Sequence, residues 1–238
     1  MSVDGIDFPA ARFYLDPRVA QSYDDARQDI VTRYETWFIR RRIRARRGGG
    51  RALDVPCGTG RFLPALMEGS ALTCGVDISP AMLEVAGGRV GGDARGGLGA
   101  GGVGFSASRA RLRLLRADAR ALPFHDGTFD FTLCIRLLGH TPPPIRRRIL
   151  RELVRVTRGE LLLLAYVRTP PIRLRKGLWT RLGRGIDDSH WHPYPSRRAM
   201  TRDLSRCGLR VLSVMPLWRG VLEANVVRAG PEGGGVGE

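Results

Sequence analysis

Lysine is almost missing from this chain. Of 39 basic residues only Lys176 is a lysine, so a net charge of +16 is carried by arginine. Cysteine is scarce too. Cys57, Cys74, Cys134 and Cys207 stand far apart, with no C-x-x-C pair. A disulfide scaffold is excluded, and the four read as reduced thiols of a cytoplasmic protein. No stretch reaches the ~18 apolar residues of a membrane span. The opening MSVDGIDFPAARF lacks the basic-then-apolar order of a secretory signal. What is present is 238 residues with a 43% hydrophobic share, enough for one α/β domain with a short addition. The arginine excess has two readings. One is an anionic partner such as nucleic acid, phospholipid head groups or an acidic substrate. The other is the codon bias of a GC-rich genome, with which the 31 glycines also agree.

The chain is organised around Arg51 to Leu63, RALDVPCGTGRFL. Ala52-Leu53-Asp54-Val55 reads as a buried strand. Cys57-Gly58-Thr59-Gly60 turns the chain, and Arg61 to Met67 reads as the start of a helix. A strand, a glycine turn and a helix N-terminus make a nucleotide-type binding site. Gly58 and Gly60 let the backbone approach a ligand. A dinucleotide fingerprint would need a third glycine where Leu63 stands, so that class is disfavoured. Asp54, in the strand, would repel a pyrophosphate but suits an amine. The stretch LDVPCGTG resembles the cofactor loop of class I S-adenosylmethionine-dependent methyltransferases. Pro56 stands where the usual L-D-x-G-x-G-x-G form has its first glycine.

Further features follow in order. Pro17 to Arg47 reads as one or two helices ending in an arginine run and Gly48-Gly49-Gly50. Ala71 to Ile78 is a second strand, and Asp77, 23 residues after Asp54, stands where an acidic residue grips ribose hydroxyls. Ser79-Pro80 caps and opens a helix, whose D-x-S-x-x-M-L-x-x-A pattern is similar to that family's. Gly87 to Arg109 is a glycine-rich insert read as a disordered surface loop. Arg111 to Asp118 is a third strand. The following D-A-x-x-L-P-F resembles the family's adenine turn, which gives Asp118 and Ala119 that role; in isolation such an aspartate can instead satisfy its own turn. Phe129 to Ile135 is a fourth strand, Ile145 to Val156 a basic helix, and Glu160 to Val167 a fifth strand buried on both faces. Ser196 to Cys207 reads as a serine-capped helix, with a strand pair after it.

The resemblance covers Arg51 to Val167 and implies a Rossmann-like α/β fold: a seven-stranded, mostly parallel sheet with helices on both faces. It divides the chain into an N-terminal helical cap (1–50), a cofactor domain (51–230, with the insert at 87–109) and a disordered tail (231–238). It implies S-adenosyl-L-methionine as cofactor, held by Asp54, Pro56, Cys57, Gly58, Gly60, Asp77, Ile78, Met82, Asp118, Ala119 and Ile135, with Tyr23 covering it. No metal is implied; His190-x-His192 lacks a third ligand. Methyl transfer needs alignment and exclusion of water more than a catalytic side chain. A hydroxyl acceptor would profit from a base, and His140, after the fourth strand, is the first candidate. The [DN]-P-P-[YF] motif of base-amine methyltransferases is absent after that strand, where Ile135-Arg136-Leu137-Leu138 stands. The layout is similar to the small-molecule group that includes ubiquinone and menaquinone methyltransferases. The expected partner is therefore a small-molecule or lipid-like acceptor, with the basic segment 168–195 suited to an anionic substrate or a membrane surface. An RNA or protein methyltransferase, and a non-catalytic cofactor-binding protein, are the alternatives.

Overall fold

A computed structural model describes residues 13–24, 30–46, 49–91, 111–167, 194–215 and 221–225. The elements in chain order are α1 (Pro17–Ser22), α2 (Ile30–Ala45), β1 (Arg51–Asp54), α3 (Leu63–Glu68), β2 (Leu72–Asp77), α4 (Pro80–Gly91), β3 (Leu112–Arg116) and β4 (Phe129–Ile135). A 3-10 turn (Leu138–His140), α5 (Pro143–Val156), β5 (Thr157–Tyr166), α6 (Arg197–Arg206), β6 (Arg210–Met215) and β7 (Val221–Asn225) complete the order. The seven strands form one sheet in the order β3-β2-β1-β4-β5-β7-β6. Strands β1 to β5 pair in parallel, and β7 runs antiparallel to both β5 and β6. This is the expected mostly parallel architecture.

The reason lies in the apolar runs. Leu161 to Ala165 are all buried, as a parallel strand covered on both faces requires. One face carries Leu53, Val76 and Leu163, with Leu150 and Leu153 of α5 and Met200 and Leu204 of α6 in the same core cluster. The other carries Ala52, Phe131, Leu133 and Leu164, covered by Ile39 and Ile43 of α2 and Leu66 of α3. Ion pairs tie the outer elements down. Arg146 of α5 binds Asp203 of α6 at 2.6 Å, with both side chains buried, and also donates to the Thr141 carbonyl at 3.0 Å.

Two local expectations meet the structure differently. Ser196 caps α6 by accepting from the Ala199 N–H, and Gly208 ends it at a φ of 75°. The glycine-rich insert begins later than Gly87, because α4 continues through Gly91. Two side chains hold that extra turn. Val90 packs on the cluster of Leu63, Leu83 and Leu112, and Arg89 donates to the Thr59 carbonyl at 2.8 Å. Residues 92–110, the segment 168–193 with His190 and His192, and the tail 231–238 lie outside the described residues. Among the described residues no helix is long and apolar enough to cross a membrane.

Candidate active site

Strand order reverses between β1 and β4, the position where open α/β sheets bind ligands beyond their carboxyl ends. A cleft of about 1240 Å³, counting its open mouth, lies there. One wall follows β1, β2 and β3: Pro56, Cys57, Gly58, Asp77, Ile78, Met82, Asp118 and Ala119 line it. Ile135 and His140 line the side after β4, and Tyr23 reaches in from beyond α1. Of the residues singled out from sequence, Asp54 and Gly60 do not line the cleft.

The glycine turn is held by its own backbone and by Asp77. The Cys57 N–H donates to the Val76 carbonyl at 2.8 Å, and the Gly60 N–H to the Cys57 carbonyl at 2.9 Å. Gly58 donates its N–H to Asp77 Oδ2 at 2.9 Å, while Ser79 donates to Oδ1 at 2.9 Å. Asp77 therefore welds the loop after β1 to the start of α4 and presents a carboxylate edge to the cleft. Burial pushes its carboxyl up, and the N–H groups of Ser79, Gly58 and Ile78 pull it back. Gly58 has a φ of 52°, and an added Cβ would meet no protein atom within 4 Å. Gly60 differs. With a φ of 77°, its added Cβ would lie 3.0 Å from the Ala86 Cβ and 3.1 Å from Leu63 Cδ1. The second glycine is thus required by the close approach of α4. The Val55–Pro56 bond is cis.

Asp54 is wholly buried beneath this turn, and neither carboxylate oxygen has a hydrogen-bond partner among the described residues. Burial first, and then the neighbouring Asp77 charge, push its carboxyl well above the usual range. An unpaired buried carboxylate is costly unless a cation or water meets it. The thiols are inert for a related reason: burial pushes Cys74 up to about 11 and raises Cys57, which lines the cleft. Asp118 sits in a turn of its own, accepting from the Arg120 N–H at 2.8 Å and from Arg120 Nε at 2.7 Å. The self-satisfied turn is therefore present, and an adenine amine would share that carboxylate with Arg120.

The opposite wall contains residues that sequence reading did not single out. Arg136, just past β4, has a φ of 63°, in the left-handed region. Its guanidinium pairs with Glu35 of α2, Nε donating to Oε2 at 3.1 Å, and Nη2 donates to Thr32 Oγ1 at 3.2 Å. Both members of the ion pair are buried, and both line the cleft. His140 is buried in the 3-10 turn, its ring 5.3 Å from that of Tyr194. Tyr14 and Tyr23 also line the cleft, edge to face at 6.1 Å. Asp24 fastens this segment to the glycine turn, accepting from Thr59 Oγ1 and Arg61 Nη2, each at 3.1 Å, and pairing with Arg89. A heptad-like apolar spacing could have marked α2 as packed, but nothing in it marked Glu35 as the partner of a residue 101 positions on.

Residues 53–164 match the family described as a methyltransferase domain. A curated demethylmenaquinone methyltransferase of Clavibacter sepedonicus is 34% identical over 132 residues, 54% of this chain and 46% of that protein. One of Staphylococcus aureus (strain JH9) is 36% identical over 88 residues, 36% of this chain and 30% of that protein. The chain thus spans less than half the length of these relatives. Among solved structures, magnesium protoporphyrin IX methyltransferase from Synechocystis PCC 6803 with bound SAH superposes with a TM-score of 0.65 at 17% identity, covering 90% of this chain and 98% of that one. A SAM-dependent methyltransferase from Aquifex aeolicus gives 0.59 at 18% identity, over 89% and 99%. At such identities the structures establish the fold alone.

Proposed function

We propose, from the premise that the chain belongs to the class I S-adenosylmethionine-dependent methyltransferase family, that it methylates a small-molecule or lipid-like acceptor. S-adenosylmethionine is the cofactor of that family. The observation that carries the reading is the cleft's two-sidedness: one wall has the glycine turn, Asp77 and the Asp118-Ala119 turn, and the other joins apolar Leu137, Ile145 and Ile149 with His140 and the Glu35–Arg136 pair. The residues suit the cofactor. Asp77 offers an acceptor edge to ribose hydroxyls, Gly58 leaves room above the turn, and buried Asp54 supplies the negative charge that an ammonium group, directly or through water, would meet. Once bound, the cofactor supplies an electrophilic methyl group on a sulfonium.

The chain's own residues then align and shield. Met82 and Ile78 present apolar surface along the proposed cofactor wall and Ile135 presents it from the side after β4, while the rings of Tyr14 and Tyr23, which also line the cleft, would limit the access of water. For a hydroxyl acceptor, the His140 imidazole takes the proton as the oxygen attacks. The Tyr194 ring packed beside it limits its orientation. The curated relatives' name, demethylmenaquinone methyltransferase, supports a quinone-type acceptor. Residues 1–50 would act as a cap over the site, and the reduced thiols suit a cytoplasmic location. An RNA or protein acceptor rests on the arginine excess alone, and a non-catalytic cofactor binder would show binding without turnover.

Calorimetric titration with S-adenosylmethionine and, separately, with NAD tests the cofactor, and labelled methyl transfer to a panel of quinols and small phenols tests the acceptor. Binding of the first alone, followed by transfer, is the expected result. His140→Gln should lower kcat about a hundredfold with cofactor affinity unchanged. An unaltered rate would remove the histidine from the chemistry, and binding of neither compound would refute the whole reading.

A further inference from the structure

We infer that the outer face of α2 is a docking surface for a bilayer of anionic lipid, set at the entrance to the cleft. This rests on the proposed lipid-like acceptor but is tested independently of it. The inner face of α2 is core: Glu35, Ile39 and Ile43 are buried. The outer face, at helical spacing, carries Arg33, Trp37, Arg40, Arg41 and Arg44. Among the described residues, the large apolar side chains left exposed are Tyr34 at 45%, Trp37 at 52% and Leu115 at 37%, so two of the three belong to this one surface.

The two rings lean on each other, 5.7 Å between centroids and 34° between planes, and Arg41 lies 5.6 Å over the Trp37 ring. They form a single apolar wedge with cations around it. Arg44 is partly offset by Glu68 at 3.2 Å. Arg33, Arg40 and Arg41 have no carboxylate partner among the described residues. Cations flanking an exposed tryptophan on a helix that lies along the protein surface match the physics of interfacial binding: head groups meet the guanidinium groups, and the rings enter the head-group layer. Rings this close leave no space for a base between them, which disfavours a single-strand stacking platform.

Position gives the surface its use. It lines an open groove with Asp24, Arg61 and Arg89, and Thr36 and Arg61 line both that groove and the cleft. A bilayer seated on α2 therefore lies beside the cleft mouth, where an acceptor dissolved in lipid can enter without crossing water.

The test is co-sedimentation of the full chain with vesicles of equal phosphatidylglycerol and phosphatidylcholine, against phosphatidylcholine alone, at about 0.15 M ionic strength. Binding to the anionic vesicles alone is expected. The triple variant Arg33→Gln, Arg40→Gln, Arg41→Gln should lose roughly a hundredfold in partitioning, and Trp37→Ser with Tyr34→Ser should weaken it with charge retained. None of these residues lines the cleft, so titration with S-adenosylmethionine should be unchanged in every variant, which also shows that each is folded. Equal partitioning of wild type and triple variant, equal binding to neutral vesicles, or binding of structured RNA in place of vesicles would each overturn the inference. Loss of cofactor binding in the wild type would instead strike the methyltransferase reading and leave the lipid measurement standing.

Discussion

The two walls of the cleft are built on opposite principles. The proposed cofactor wall is local: Asp77 accepts from Gly58, 19 residues away, and from Ser79, two residues away. The first contact joins the end of β2 to the loop after its neighbour β1, and the second stays within the turn that follows β2. The proposed acceptor wall is assembled from distant pieces: Glu35 with Arg136 across 101 residues, and His140 against Tyr194. Local contacts are written into short motifs, whereas distant ones exist only when the sheet and α2 have packed. A site of this kind can hold one ligand constant while the other wall changes through substitutions that no motif records.

Breaking the distant wall should have the largest effect. Glu35→Ala takes the carboxylate from buried Arg136 and should cost about 3–5 kcal/mol of stability, measured by urea unfolding, with cofactor affinity in the surviving folded protein nearly intact. A parallel fall in cofactor affinity would show that the walls are coupled. Breaking the local wall is a smaller matter for stability and a larger one for binding. Asp77→Ala should weaken cofactor binding by about 1–3 kcal/mol in calorimetry, because it removes both the ribose partner and the anchor of the Gly58 N–H. Wild-type affinity would place the ribose elsewhere.

The smallest effect concerns Asp54, which belongs to neither wall but lies under the first. Its folded carboxyl is raised above the unfolded value of about 3.9. Below that value both states are protonated and the residue is neutral to stability. As the pH rises above it, the unfolded chain loses its proton more readily, and stability falls until the folded group also ionises. Asp54→Asn should therefore melt like the wild type in acid and above it at neutral pH. If a cofactor ammonium meets this carboxylate, binding draws off its proton. Titrations in buffers of different ionisation enthalpy should then show up to about one proton released per cofactor, and affinity that rises with pH. Absence of proton release from the wild type would separate Asp54 from the cofactor.

The same contrast explains what was readable in advance. The β1 turn, Asp77, the Ser79 cap and the β4 strand were legible because each depends on neighbours in sequence: apolar runs, cap residues and glycine turns. Gly60 was legible as a required glycine but for a different reason, since only the approach of Ala86 shows that packing demands it. The extent of α4 was not legible. Gly87-Gly88 reads as a helix breaker, yet the contacts of Val90 and Arg89 carry the helix to Gly91. Asp118 carried two readings, and Arg120 engages it in the turn.

By itself, then, the sequence determined the α/β fold and the position of the glycine turn, because strand periodicity, turn glycines and caps act over a few residues, while the expected cofactor came from the resemblance that LDVPCGTG carries. Tertiary structure alone decided that Glu35 would meet Arg136, that Asp54 would be sealed without a partner among the described residues, and that Trp37 and its arginines would stand beside the cleft. Those outcomes depend on which helix face the core accepts, and that choice is made only when the sheet and its helices pack.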